Sequence, residues 1–85
     1  MNVSFSSSAL EAFQERARSD PKIFERINAL IKDVGRTPFT GIGKPEPLRH
    51  NLAGYWSRRI TDEHRLVYKI KDDTIFIASY KDHYY

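Results

Sequence analysis

The chain contains no cysteine, which excludes disulfides, zinc–thiolate sites and thiol catalysis and is compatible with a reducing cytoplasm. It has no long apolar run either, and nothing approaches the roughly 20 consecutive apolar residues that a membrane-spanning helix needs. The opening residues, Met1 to Phe5, carry no basic segment followed by an apolar stretch, so no targeting signal is expected and the protein reads as soluble, cytoplasmic and without a membrane partner. A glycine-rich phosphate loop is missing too, because Gly41-Ile42-Gly43-Lys44 is too short and opens no helix. Asp62-Glu63-His64 and Asp72-Asp73 offer oxygen and nitrogen ligands without a recognised metal spacing, and such clusters are more often turn formers. No metal or cofactor is therefore expected.

What is present describes a small globular protein. The 85 residues suit one domain over 1–85, burying on the order of 60 to 65% of the unfolded surface. With 40% hydrophobic and 13% aromatic residues, the chain has the large apolar side chains that disordered segments lack. Fourteen Lys and Arg against eleven Asp and Glu give a net charge of +3, which favours polyanions or acidic protein partners. The excess is concentrated between Arg36 and Lys71, where Lys44, Arg49, Arg58, Arg59, Arg65 and Lys69 face only Glu46, Asp62 and Glu63. That half is the candidate anion-binding surface.

Residues 2–5 alternate polar and apolar and predict a short strand. Ser8 followed by Glu11 fits a capping box at a helix start, with Leu10, Phe13 and Ala17 on one apolar face. Asp20 and Pro21 predict the cap and first turn of a second helix, in which Ile23, Phe24, Ile27, Leu30, Ile31 and Val34 recur at helical spacing and Gly35 supplies a left-handed end. Residues 36–47 hold Pro38, Gly41, Gly43, Pro45 and Pro47, so they form a loop and neither a helix nor a central strand. From Leu48 the period becomes two, with turn signals at Ala53-Gly54, in 61–64 and at Asp72-Asp73. The expected architecture is α+β, an N-terminal helical hairpin packed on an antiparallel sheet.

Strand parity relates the arginines to one another. Trp56 and Ile60 share the core face with Leu66, Tyr68 and Ile70 only if the intervening turn has an odd number of residues, most simply Asp62-Glu63-His64. The same register puts Arg59 and Arg65 together on the opposite face. It also turns Arg58 toward the core, where it must reach solvent, pair, or meet a partner. A two-residue turn at Asp72-Asp73 pairs Ile70 with Ile75 and Tyr68 with Ile77, leaving Phe76, Ala78 and Tyr80 on the arginine face. The tail from Lys81 to Tyr85 then leaves the strand end near the arginines.

These residues form a general acid/base set around a phosphate. Glu46 lies in Lys44-Pro45-Glu46-Pro47, whose prolines hold a carboxylate on a stiff, extended segment; taken alone, a loop glutamate is more often simply solvated. Arg59 and Arg65 could clamp a phosphate or stabilise charge on its non-bridging oxygens, although arginines on a polar sheet face also serve solubility. His83, in Asp82-His83-Tyr84, is the general-acid candidate because an imidazole with an unperturbed pKa near 6.5 can donate a proton at neutral pH; from position alone it would be a disordered tail residue. His50 and His64 read as strand or turn residues. An imidazole, a carboxylate and two guanidiniums suffice for cleaving an RNA phosphodiester without a metal.

The run RTPFTGIGKPEPLRHNLAGYWSRRITDEHRLVY from Arg36 to Tyr68, with the helical hairpin before it and Lys81-Asp82-His83-Tyr84 after it, closely resembles the Txe/YoeB branch of the RelE/ParE toxin superfamily over essentially the whole chain. The resemblance implies a type II toxin with a RelE-like microbial RNase fold. It implies a homodimeric, ribosome-dependent mRNA endonuclease that cuts in the A site of the 70S ribosome, halts translation and is neutralised by a YefM-type antitoxin. It further implies Glu46 as general base, His83 as general acid, Arg65 as the phosphate-stabilising arginine, Arg59 as its support and Tyr84 as the residue that orients substrate. Tyr85 extends one residue past the usual His-Tyr end and leaves open which of the two tyrosines orients. Lys44 and Arg49 would engage ribosomal RNA phosphates, positioning without specifying sequence. Two alternatives stay open: a non-catalytic inhibitory module of the ParE type, which blocks gyrase, and a corepressor that binds operator DNA only in complex with antitoxin.

Overall fold

The computed structural model describes residues 1–78, and within them the expected α+β architecture is present. The elements run β1 (Asn2–Phe5), α1 (Ser7–Ser19), α2 (Pro21–Arg36), β2 (Glu46–Pro47), a 3-10 turn (His50–Leu52), β3 (Trp56–Arg59), β4 (Arg65–Lys71) and β5 (Thr74–Ile77). One five-stranded sheet has the order β1-β5-β4-β3-β2. It is mixed, which corrects the antiparallel expectation: β1 runs parallel to β5, pairing Asn2 with Thr74 and Phe5 with Ile77. The two helices lie between β1 and the rest of the sheet in sequence and return the chain to add β2, β3 and β4 from the other side.

The helices begin where side chains can satisfy their free N–H groups. Ser6, not Ser8, caps α1: its N–H donates to the Ile77 carbonyl at the end of the strand ladder, and its Oγ accepts from the Ala9 N–H at 3.1 Å. The helix is also rotated from the expected face. Ala9 is fully buried and Phe13 packs beside it, whereas Leu10 is 41% exposed and Ala17 is exposed; the small Ala9 lets α1 approach the sheet closely. Asp20 caps α2 by accepting from the Ile23 N–H, with Pro21 in the first turn as expected. Gly35 is a helical residue and not the terminus; Thr37 closes the helix, its N–H donating to the Asp33 carbonyl at 2.8 Å.

Ile27, Leu30 and Val34 are fully buried against Leu66, Tyr68, Ile75 and Ile77 on one sheet face. Burying such side chains contributes roughly 2 kcal/mol each. The rings of Phe5, Phe13 and Phe24 stack in sequence at 5.2 and 5.0 Å, joining β1, α1 and α2.

The hairpin registers follow the expected parity. Trp56 faces Tyr68 and Arg59 faces Arg65, while Tyr68 faces Ile77 and Ile70 faces Ile75. The first turn sits one residue earlier than Asp62-Glu63-His64. Thr61 is drawn into it because its Oγ1 accepts from the N–H groups of Glu63 and His64, and Ile60 N–H donates to the His64 carbonyl. Asp72 and Asp73 both adopt positive φ, 50° and 57°, the backbone of a mirror-image two-residue turn. Glu46 and Pro47 form a two-residue edge strand inside what was expected to be loop, a place where proline's missing N–H is harmless.

Candidate active site

The helices cover one face of the sheet, and the other carries three rows of side chains across the strands. Register places Ser57 opposite Glu46 on one side and Val67 on the other. One pleat along stand Arg59 and Arg65. One pleat the other way stand Lys69, Phe76 and Ser4, since Lys69 pairs with Phe76 and Phe76 with Ser4.

Ile60 and His64 share a ladder hydrogen bond, so Arg59 and Arg65 form the closer, non-hydrogen-bonded type of pair, with Cα atoms about 4.5 Å apart. Like charges directly opposite are destabilising. The arrangement therefore makes sense as a site that an anion completes.

Arg65 is held at two points. Its Nε donates to Ser57 Oγ at 2.9 Å. Its Nη2 lies 3.6 Å from Glu46 Oε1, an ion pair too long for a hydrogen bond, with the two side chains 24% and 60% exposed. That Nη2 is buried and lacks any hydrogen-bond partner among the described residues. An unsatisfied buried donor costs about 1–3 kcal/mol, and more when charged. A ligand oxygen accepting from Nη2 would recover that cost.

Glu46 reaches this place through the loop that precedes it. Arg59 N–H donates to the Gly43 carbonyl at 2.6 Å and Leu48 N–H to Tyr55 at 2.9 Å, so both ends of the Lys44-Pro45-Glu46-Pro47 segment are stitched to β3 or its approach. Gly43 adopts φ 80°, and a side chain there would press on Leu30 and on Arg58.

Arg58 resolves its burial by pairing. It is fully buried on the helix side of β3, where Nη1 donates to Asp33 Oδ2 at 2.5 Å and to the Ile42 carbonyl. Nη2 donates to the carbonyls of Thr37 and Thr40, and Nε to the Tyr68 hydroxyl, which itself donates to the Pro38 carbonyl. One guanidinium thus gathers the loop from 37 to 42 that leads to Glu46. The Arg58 hydrogen bond, joined by the Ile42 N–H, holds the Asp33 carboxyl below the ordinary aspartate value. Burial pushes the Tyr68 hydroxyl above its ordinary value.

The structure brings together Glu46, Arg59 and Arg65 of the expected residues. Lys44 and Arg49 are exposed on the segments flanking Glu46, Lys44 with φ 51°. His83 and Tyr84 lie outside the described residues. Sequence reasoning missed Ser57 and Asp33. Ser57 was legible from parity, since it alternates with Arg58 onto the arginine face; Asp33 lies beside Val34 at the edge of the buried stripe of α2, where an acid needs a partner. Asp62 and Glu63 are exposed turn residues, and among the described residues no group of three or more His, Asp or Glu side chains is placed to hold a metal.

The family model described as YoeB-like toxin of bacterial type II toxin-antitoxin system matches residues 5–84. The chain is 51% identical to "Toxin YoeB" of Escherichia coli strain K12 over 84 residues, covering 99% of this chain and 100% of that protein. The structure of a YoeB/ParE toxin from Agrobacterium tumefaciens superposes with a TM-score of 0.94 at 42% identity, covering 99% and 100% of the two chains. The YoeB of Staphylococcus aureus is similar at 48% identity, covering 99% of this chain and 98% of that one. It is known as a dimer, TM-score 0.92, and as a heterotetrameric complex with YefM, TM-score 0.91.

Proposed function

The chain belongs to the YoeB-like toxin family of bacterial type II toxin-antitoxin systems, and from that membership we propose that its 85 residues act as one toxin domain, a metal-independent endoribonuclease cutting mRNA in the ribosomal A site. The observation that carries the chemistry is the buried Arg65 Nη2, which has no hydrogen-bond partner among the described residues and lies 3.6 Å from the Glu46 carboxylate. A base and a cation at that separation fit a phosphodiester and its neighbouring 2′-hydroxyl.

In the proposed reaction Glu46 takes the proton of the 2′-hydroxyl, whose oxygen attacks the adjacent phosphorus. Negative charge grows on the non-bridging oxygens, where Arg65 and Arg59 meet it. His83 protonates the departing 5′-oxygen as the P–O5′ bond breaks, leaving a 2′,3′-cyclic phosphate, and Tyr84 orients the substrate. DNA lacks the attacking hydroxyl, so the site is selective for RNA. Lys44 and Arg49 contribute salt-sensitive contacts to ribosomal RNA phosphates. By analogy with the complex from S. aureus, a YefM-type antitoxin neutralises a homodimer of this chain, and operator DNA is bound only by that complex.

The test adds purified protein to 70S ribosomes programmed with a defined mRNA and maps new RNA ends beside a Glu46→Ala, His83→Ala control. Cuts at the A site that vanish in the double variant are expected. An intact message would overturn the nuclease reading and direct attention to gyrase inhibition.

A further inference from the structure

The proposed chemistry uses Glu46, Arg59 and Arg65 but leaves unexplained the row beyond them on the same sheet face. There Lys69 extends its ammonium between two rings, 5.1 Å from the centroid of Tyr55 and 5.8 Å from that of Phe76. Beside it opens a cavity of about 250 Å³ lined by Ser4, Ser6, Tyr55, Lys69, Phe76 and Ala78, among others. Register accounts for the grouping, since Ser4, Phe76 and Lys69 are successive partners across β1, β5 and β4.

We propose that the Tyr55, Lys69 and Phe76 row is an RNA subsite that stacks the base of a nucleotide flanking the cleaved bond. The inference rests on the nuclease reading above and deepens it. Three features select a nucleotide over other ligands. Two aromatic rings on an open sheet face offer π-surfaces on which a base stacks. Lys69 supplies a cation for the phosphate attached to that base, and it carries a flexible stem that can swing from the rings to an oxygen. The Ser4 hydroxyl both donates and accepts, so it can meet the edge of a base. A purely apolar ligand would leave the ammonium unused, and a bare anion would leave the rings unused.

Distance ties the subsite to the cut. Lys69 follows Arg65 by four residues on one strand and one face, about 13 Å at the rise of a β-strand. Val67 lies between them on the same face, in the buried row it shares with Ser57. An extended single strand with its scissile phosphate at Arg65 therefore passes over Lys69. The base held there contributes to which codons are cut.

The test measures single-turnover cleavage on programmed ribosomes as a function of toxin concentration, for the parent protein, Lys69→Gln and Phe76→Leu. Synthetic mRNAs carry one abasic nucleotide, placed in turn at each position flanking the cut. Both substitutions should raise the half-saturating concentration roughly ten-fold with the maximal rate retained. An abasic nucleotide at one position should impose the same penalty on the parent and none further on Phe76→Leu. Unchanged half-saturation in both variants, or penalties that multiply at every position, would overturn the subsite. Fluorescence anisotropy with a labelled 2′-O-methyl oligoribonucleotide, which lacks the attacking hydroxyl, separates the two readings. Binding that weakens in Lys69→Gln and Phe76→Leu, with no cleavage of the programmed mRNA by the parent, would keep the subsite and remove the nuclease. Variants that lose affinity for the antitoxin while binding RNA normally would assign the row to a peptide instead and overturn the proposal.

Discussion

At the scale of single residues, the site is an unbalanced set of charges held in place by neutral neighbours. Arg65 contacts Ser57 through Nε at 2.9 Å and keeps Nη2 free of any hydrogen bond among the described residues, so its two ends have separate tasks. Arg65→Ala should lower the maximal single-turnover rate by about 10²–10³, the effect of losing one transition-state donor. Ser57→Ala should lower it by only roughly five-fold, the worth of one positioning hydrogen bond; rapid-quench kinetics distinguish the two. The Asp33 carboxyl is held down by Arg58 and the Ile42 N–H, and its pH dependence follows from that direction. A depressed native pKa gives stability that is complete above the unfolded value, near pH 4, and lost as pH falls through the lower native value. Urea midpoints for the parent protein should therefore fall on acidification below pH 4, and Asp33→Asn should be weaker at pH 7 and lack that acid limb.

At the scale of elements, β3 organises the site from both of its faces. Ser57 and Arg59 project to the open face, while Arg58 gathers the carbonyls of Thr37, Thr40 and Ile42 on the other. The loop before Glu46 has little freedom as a result. Gly43 adopts φ 80° with a virtual Cβ 2.8 Å from Leu30 Cδ2 and 3.2 Å from the Arg59 carbonyl, whereas Gly54 adopts φ 96° with nothing within 4 Å. Gly43→Ala should cost about 3 kcal/mol and displace Glu46, reducing cleavage. Gly54→Ala should cost only about 1 kcal/mol and leave cleavage intact, since it carries the conformational penalty alone. Chemical denaturation and cleavage assays on the pair separate strain from crowding. The Asp72-Asp73 turn has both residues at positive φ, so Asp73→Gly should raise stability by roughly 0.5 kcal/mol in the same assay.

At the scale of the molecule, the two ends of the described chain depend on each other. β1 closes the sheet by pairing with β5, and Phe5 anchors it against Phe13 at 5.2 Å. Without β1 the backbone groups of β5 would form an open edge, a template for association. A protein lacking residues 1–5 should lose on the order of 3 kcal/mol in urea denaturation, comparable to removing a packed aromatic side chain. It should also scatter light at concentrations where the parent protein does not.

The amino-acid order alone determined the parts whose causes are local. Asp20 and Pro21 start α2, the spacing of Ile27, Leu30 and Val34 gives that helix its buried stripe, and period-two alternation put Arg59 and Arg65 on one face. Glu46, Arg59, Arg65 and His83 were nameable as candidates from their side-chain chemistry and setting, whereas the role of Tyr84 rests on resemblance, and parity ends before His83 and Tyr84. Only the tertiary structure decided that β1 joins β5 in parallel, that α1 turns Ala9 inward and Leu10 outward, and that Arg58 meets Asp33. It likewise decided that Ser57 holds Arg65 and that Lys69 lies between two rings. Periodicity fixes which face a residue occupies, but contacts between distant segments depend on how closely whole elements pack, and that is set by the summed burial of many side chains.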